Sequence, residues 1–96
     1  GELSNPINIK TIKKVSSTKA KITWNKLRGV TAYEIFRKAP GQKLYWKIAT
    51  VNGNRTSFVN KGLKRKKTYY YLIRAYKNIN GIKVYSKNFV AKGIRM

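Results

Sequence analysis

The chain has 96 residues, of which 23 are Lys or Arg and 2 are acidic, for a formal charge of +21. That length fits one domain with a single core and little to spare. With neither Cys nor His, the chain excludes disulfides, thiolate nucleophiles, imidazole bases and ordinary zinc sites.

Residues 1–5 read as an N-terminal tether or expression remnant, and residues 6–96 as one domain. Helical periodicity is nearly absent, and period-two alternation recurs instead. "INIKTIKK" predicts a first strand. "KAKITW" predicts a second, with Ala20, Ile22 and Trp24 on one face and Lys19, Lys21 and Thr23 on the other. "LRGVT" is a turn, and "AYEIFRK" a third strand with Tyr33 and Ile35 opposite Glu34 and Phe36. "APGQ" closes a hairpin into "LYWKIATV"; "NGN" precedes the short run "TSFVN". "TYYYLIRAYK" alternates Tyr69, Tyr71, Ile73 and Ala75 against Tyr70, Leu72, Arg74 and Tyr76. "NINGI" holds an Asn80-Gly81 pair suited to a primed turn with positive φ, and "VYSKNFVAKGI" predicts the last strand. Seven short strands with regularly spaced turns predict an all-β, antiparallel Greek-key sandwich. No apolar run approaches the length of a membrane span.

Taken together, "KITW", "VTAYEIFRK", "YWKIATV" and "TSFVNKGL" leading into "LKRKKTYYYLIRAY" resemble a fibronectin type III domain of bacterial secreted and cell-surface proteins. The resemblance spans roughly residues 5–94. It implies that Trp24 is the core tryptophan of the second strand. It implies also that Leu63 and Tyr69 form the corner where the chain crosses between sheets. Between that Leu and Tyr the family usually has Pro or Gly, where this chain has Arg65 and Lys66.

The charge predicts attraction to anionic matter: nucleic acid, acidic lipid, teichoic acid or sulfated glycan. Lys64, Arg65, Lys66 and Lys67 form a basic run before the sixth strand. Its plain reading is a solvated corner loop, with Tyr69 pointing inward and its hydroxyl bonded to nearby backbone. The sharper reading is a contact for an anionic cell-wall or extracellular polymer. Specific nucleic-acid recognition is disfavoured, because no helix is available to enter a groove. Phe36, Tyr70, Leu72 and Tyr76 are expected on the outer face of the third and sixth strands. There they form ordinary sheet surface, a face that docks a neighbouring domain, or a platform for sugar rings or bases. Glu34 and Arg74 share that face and are expected to pair, at about 0.2–1 kcal/mol. Trp46 is expected to cover the edge of the core, with stacking on a sugar or base as the alternative.

The catalytic inventory is poor. Glu2 and Glu34 make no acid–base dyad with one of them on the tail. No Gly-rich phosphate loop is present, and oxygen-ligated calcium is implausible with no Asp. The expectation is a domain that is not an enzyme and holds neither metal nor cofactor. The resemblance implies an accessory module of a larger extracellular bacterial protein, a spacer whose partners are the neighbouring domains of its own chain. A basic module for teichoic acid or acidic glycan is the alternative.

Overall fold

The computed structural model describes residues 7–87 and 90–96, so the tether expected at 1–5 lies outside the described residues. The described chain forms β1 (Ile9–Ser16), β2 (Lys19–Trp24), β3 (Ala32–Lys38), β4 (Trp46–Asn52), β5 (Ser57–Asn60), β6 (Thr68–Ile79), β7 (Ile82–Tyr85) and β8 (Lys92–Arg95). One sheet runs β1-β2-β5; the other runs β4-β3-β6-β7, with β8 also on β6. Every pairing is antiparallel.

The eighth strand corrects the expected seven. The last run is two strands rather than one, and each takes a different end of the 12-residue β6. β7 pairs with Tyr76–Ile79, and β8 with Thr68–Tyr71. Between them the buried Ser86 continues the bonding for one residue. Its N–H donates to the Ala75 carbonyl at 2.8 Å, and its Oγ accepts from the Ala75 N–H at 2.9 Å. A side chain thus replaces one rung of the ladder and satisfies the Ala75 N–H.

The alternation of β2, β3 and β6 fixes which residues meet between the sheets. Ile22, Trp24, Tyr33, Ile35, Tyr71, Ile73 and Ala75 are all buried there, with Leu63 and Tyr69 at one end. Four of the aromatics carry polar tips, which must be satisfied on burial. Trp24 Nε1 donates to the Arg55 carbonyl at 3.0 Å, and the Tyr33 hydroxyl accepts from Leu27 N–H at 2.8 Å. The Tyr69 hydroxyl accepts from Lys64 N–H at 2.8 Å, and the Tyr71 hydroxyl donates to Asn60 Oδ1 at 2.6 Å. Trp24 and Tyr33 also pack ring against ring, with centroids 5.3 Å apart.

Two turns show why their residues are there. Asn80 and Gly81 both take positive φ, 52° and 80°, the geometry of the primed two-residue hairpin between Ile79 and Ile82. Gly53 is required for space: a Cβ there would lie 2.2 Å from the Val30 carbonyl oxygen.

One irregularity governs the surface. Along β3–β4 the partners run Ile35↔Ala49 and then Phe36↔Lys47, so Ile48 is the extra residue of a bulge. Because side chains alternate with period two, that single insertion exchanges the faces of everything before it on β4. Lys47 moves to the outer face beside Glu34, and Trp46 moves to the side of Arg37.

Candidate functional site

Two surfaces carry the candidate residues. The first is the outer face of the β4-β3-β6-β7 sheet. Register sets Phe36 opposite Leu72, Glu34 opposite Arg74 and Lys38 opposite Tyr70. Glu34 forms the expected pair, but more deeply than a surface bridge. Its side chain is 1% exposed, with Oε1 accepting from Arg74 Nε at 2.6 Å and Oε2 from Lys47 Nζ at 3.4 Å. The Arg74 guanidinium lies 3.7 Å from the Tyr85 ring centroid and 5.2 Å from that of Phe36. The aromatics shield the carboxylate, and burial acts to raise its pKa. The hydrogen bond and charge of Arg74, joined by Lys47, outweigh burial and hold the carboxyl below its ordinary value.

The four residues expected on this face are not equally open. Phe36 and Leu72 are half-buried and line a cleft of about 230 Å³ with Tyr45, Ile73 and Arg74. Tyr70 is 42% exposed. Tyr76 is only 9% exposed, because the Tyr85 ring packs edge-on to it at 5.9 Å and Lys83 Nζ lies 4.6 Å from its centroid. Tyr76 is therefore covered by its own hairpin and corrects the expectation of an open face. The rim is cationic: Lys38 Nζ sits 5.4 Å from the Tyr45 ring and 5.2 Å from the Tyr70 ring.

The second surface is the corner loop. Tyr69 takes the Lys64 N–H, as the resemblance implies, and Leu63 is buried beneath it. Lys64, Arg65, Lys66 and Lys67 are all exposed, yet they do not act as one patch. Arg65 Nη2 donates to Ser17 Oγ at 3.3 Å, toward the other sheet. Lys66 occupies the turn itself with φ of 62°, the left-handed conformation that favours glycine. Only Lys64 and Lys67 line the groove of about 530 Å³ between this loop and the 39–42 turn.

Arg37 forms the groove's wall from the end of β3, a residue the sequence reading missed. Its Nη1 donates to Asn60 Oδ1 at 3.0 Å, and its guanidinium lies 5.7 Å from the Tyr69 ring centroid. Its alternation with Phe36 was the available signal, since it places an Arg on the core side of a strand. Trp46 stands across the ladder from Arg37 and is 58% exposed, so it does not cover the core edge as expected. The bulge turns it to the inner side at the sheet's open edge, beyond the reach of the β1-β2-β5 sheet.

Among the described residues no helix is long and apolar enough to cross a membrane, and no group of acidic side chains is placed to hold a metal.

Two antiparallel sheets face to face, a core tryptophan on β2 and a tyrosine bonded back to its own upstream loop define an immunoglobulin-like sandwich. The family model of the fibronectin type III domain matches residues 4–91, and the chain belongs to that family. No curated protein matches it. Solved structures resemble it over nearly its whole length. The two-domain fibronectin type III segment of chicken tenascin superposes with a TM-score of 0.74 at 16% identity, covering 93% of this chain and 49% of that one. A fibronectin type III-like protein from Clostridium thermocellum gives 0.65 at 24%, covering 88% and 84%. Pectate lyase PelI from Erwinia chrysanthemi, in complex with tetragalacturonic acid, gives 0.65 at 15%, covering 93% of this chain and 27% of that one. At these identities the likeness is one of fold. Domains of this family are generally non-catalytic, usually sit beside other domains of the same chain and are typical of extracellular proteins.

Proposed function

We propose that this domain is a non-catalytic accessory module of a larger extracellular bacterial protein, which spaces its neighbouring domains and docks against one of them. The observation that carries the reading is the outer sheet face. An apolar cleft between Phe36, Tyr45 and Leu72 is bordered by Lys38 and Arg74, while Glu34, the one carboxylate of that face among the described residues, is already neutralised. Such a face suits an acidic neighbouring surface that inserts an apolar side chain. The modular setting agrees with it, since a domain of this fold makes up about a quarter of the pectate lyase chain.

The test is rotational diffusion by ¹⁵N relaxation in a fragment holding this domain and its neighbour. A docked pair tumbles with one correlation time, and Leu72→Gln splits it into two. Two separate correlation times in the unsubstituted fragment would leave the spacer role standing and remove the docking role.

A further inference from the structure

We infer that the groove between the corner loop and the β3–β4 turn is a binding site for an acidic glycan, with Arg37, Lys64 and Lys67 taking the acid group and Trp46 the sugar ring. This site is separate from the docking face. It lies on the inner side of β3 at one end of the sandwich, whereas Phe36 and Leu72 face outward.

Three observations carry it. First, three cations from two elements line one concavity with no internal counter-ion. Glu34 is the only side-chain carboxylate among the described residues, and it is buried on the opposite face of the sheet under Arg74 and Lys47. Cations also gather in a second concavity, lined by Lys10, Lys13, Lys21 and Lys26 across β1–β2, but the corner groove is the one of the two that includes an arginine; in either place convergence costs repulsion that an external anion relieves.

Second, the guanidinium is held in place before any ligand arrives. Asn60 Oδ1 takes both Arg37 Nη1 and the Tyr71 hydroxyl, and the Tyr69 ring lies beside the guanidinium. Arg37 Nε is buried with no acceptor among the described residues and is out of a ligand's reach, so any grip on an acid group falls to the Nη atoms of the guanidinium. A fixed planar donor set loses little entropy on gripping a carboxylate or sulfate.

Third, an indole that is 58% exposed stands directly across the ladder from that arginine. Residues opposed in this way lie about 5 Å apart and project to the same side of the sheet. A flat apolar ring beside an acid-binding group matches a charged pyranose, which has an apolar face and an acid substituent. A bare phosphate would use the cations and leave the indole idle.

The measurement is an NMR shift titration of the labelled domain at about 0.15 M salt, repeated at about 1 M. The probes are an alginate oligomer, a sulfated oligosaccharide of equal length, neutral maltohexaose and short single-stranded DNA. The alginate and sulfated arms distinguish a carboxylate from a sulfate as the preferred acid. Variants are Lys64→Gln/Lys67→Gln, which keeps the backbone N–H that Tyr69 uses, and Trp46→Ala. The control is Lys13→Gln/Lys21→Gln, which removes the same charge from another lysine-lined surface, across β1–β2. Thermal unfolding of each variant verifies that it is folded.

The inference expects shifts confined to residues 37–46 and 62–67 with an acidic sugar and persisting at high salt. The groove pair of substitutions lowers affinity about tenfold and Trp46→Ala at least about threefold, while the control pair changes it less than about twofold. Equal losses from the two lysine pairs, diffuse shifts erased by salt, or DNA binding as tightly on the same map with no effect of Trp46→Ala would each overturn it. None of these outcomes bears on the tumbling of the two-domain fragment.

Discussion

Lys66 holds a conformation that costs a β-carbon about 1 kcal/mol, at a φ of 62° in the tight turn that brings Lys64 N–H under the Tyr69 hydroxyl. Relief of that strain is measurable. Lys66→Gly should raise stability by about 0.5–1 kcal/mol, seen as a rise of a few degrees in Tm. The opposite change is Tyr69→Phe. It leaves the Lys64 N–H without its acceptor at a part-buried corner, and should cost about 1–2 kcal/mol in urea unfolding. If Tyr69→Phe were neutral, water would be replacing the hydroxyl and the corner would not be held by this bond.

The strands depend on how their irregular points are managed. Gly53 donates its N–H to the Thr31 carbonyl at 3.0 Å, and the Val30 carbonyl lies where a side chain would begin. Gly53→Ala should force β4 away from the loop before β3 and cost about 3 kcal/mol or more, read from thermal unfolding. On β3 and β6, Glu34 and Arg74 form a cross-strand unit clamped between Phe36 and Tyr85. Its deep burial raises the stakes above those of an exposed pair. Arg74→Ala should cost about 2 kcal/mol, because it leaves the carboxylate with Lys47 alone at 3.4 Å.

For the whole molecule, the balance of +21 makes stability a function of pH and salt in a readable way. The Glu34 carboxyl is depressed below its reference value of 4.5 in the folded state. Its stabilisation is therefore fully present above that value and lost as pH falls through the lower folded-state pKa. Glu34→Gln should flatten the acid limb of a plot of stability against pH. The alkaline limb has another owner. Burial, opposed in part by Arg37 and reinforced by Tyr69, pushes the Tyr71 hydroxyl up to about 12 from 10.0. A raised folded-state pKa gives stability that is complete below 10.0 and declines as pH climbs toward about 12. Added salt should raise Tm at neutral pH, since it screens repulsion among cations more than it weakens the buried pairing of Glu34 with Arg74 and Lys47. A fall in Tm with salt would mean that surface pairing, not repulsion, dominates the electrostatics.

The sequence by itself determined the sandwich and its two faces. Period-two alternation in "KAKITW", "AYEIFRK" and "TYYYLIRAYK" leaves one arrangement in which the apolar sets meet, and Pro40-Gly41 and Asn80-Gly81 mark turns by their backbone preferences. The Glu34–Arg74 pair was legible for the same reason, since both lie on the polar side of neighbouring strands. Only the tertiary structure decided three other matters. The split of the final run into β7 and β8 depends on the length of β6 and on Ser86 filling one rung, neither of which has a periodic signature. The covering of Tyr76 comes from the twisted hairpin folding Tyr85 and Lys83 over it. The bulge at Ile48 leaves the composition of β4 unremarkable, yet it sends Lys47 to Glu34 and Trp46 to Arg37. Alternation is a local rule, and one inserted residue reverses it. The groove of Arg37, Lys64 and Lys67 beside Trp46 therefore had to be seen in space, because its members come from three separate stretches of chain joined across that reversal.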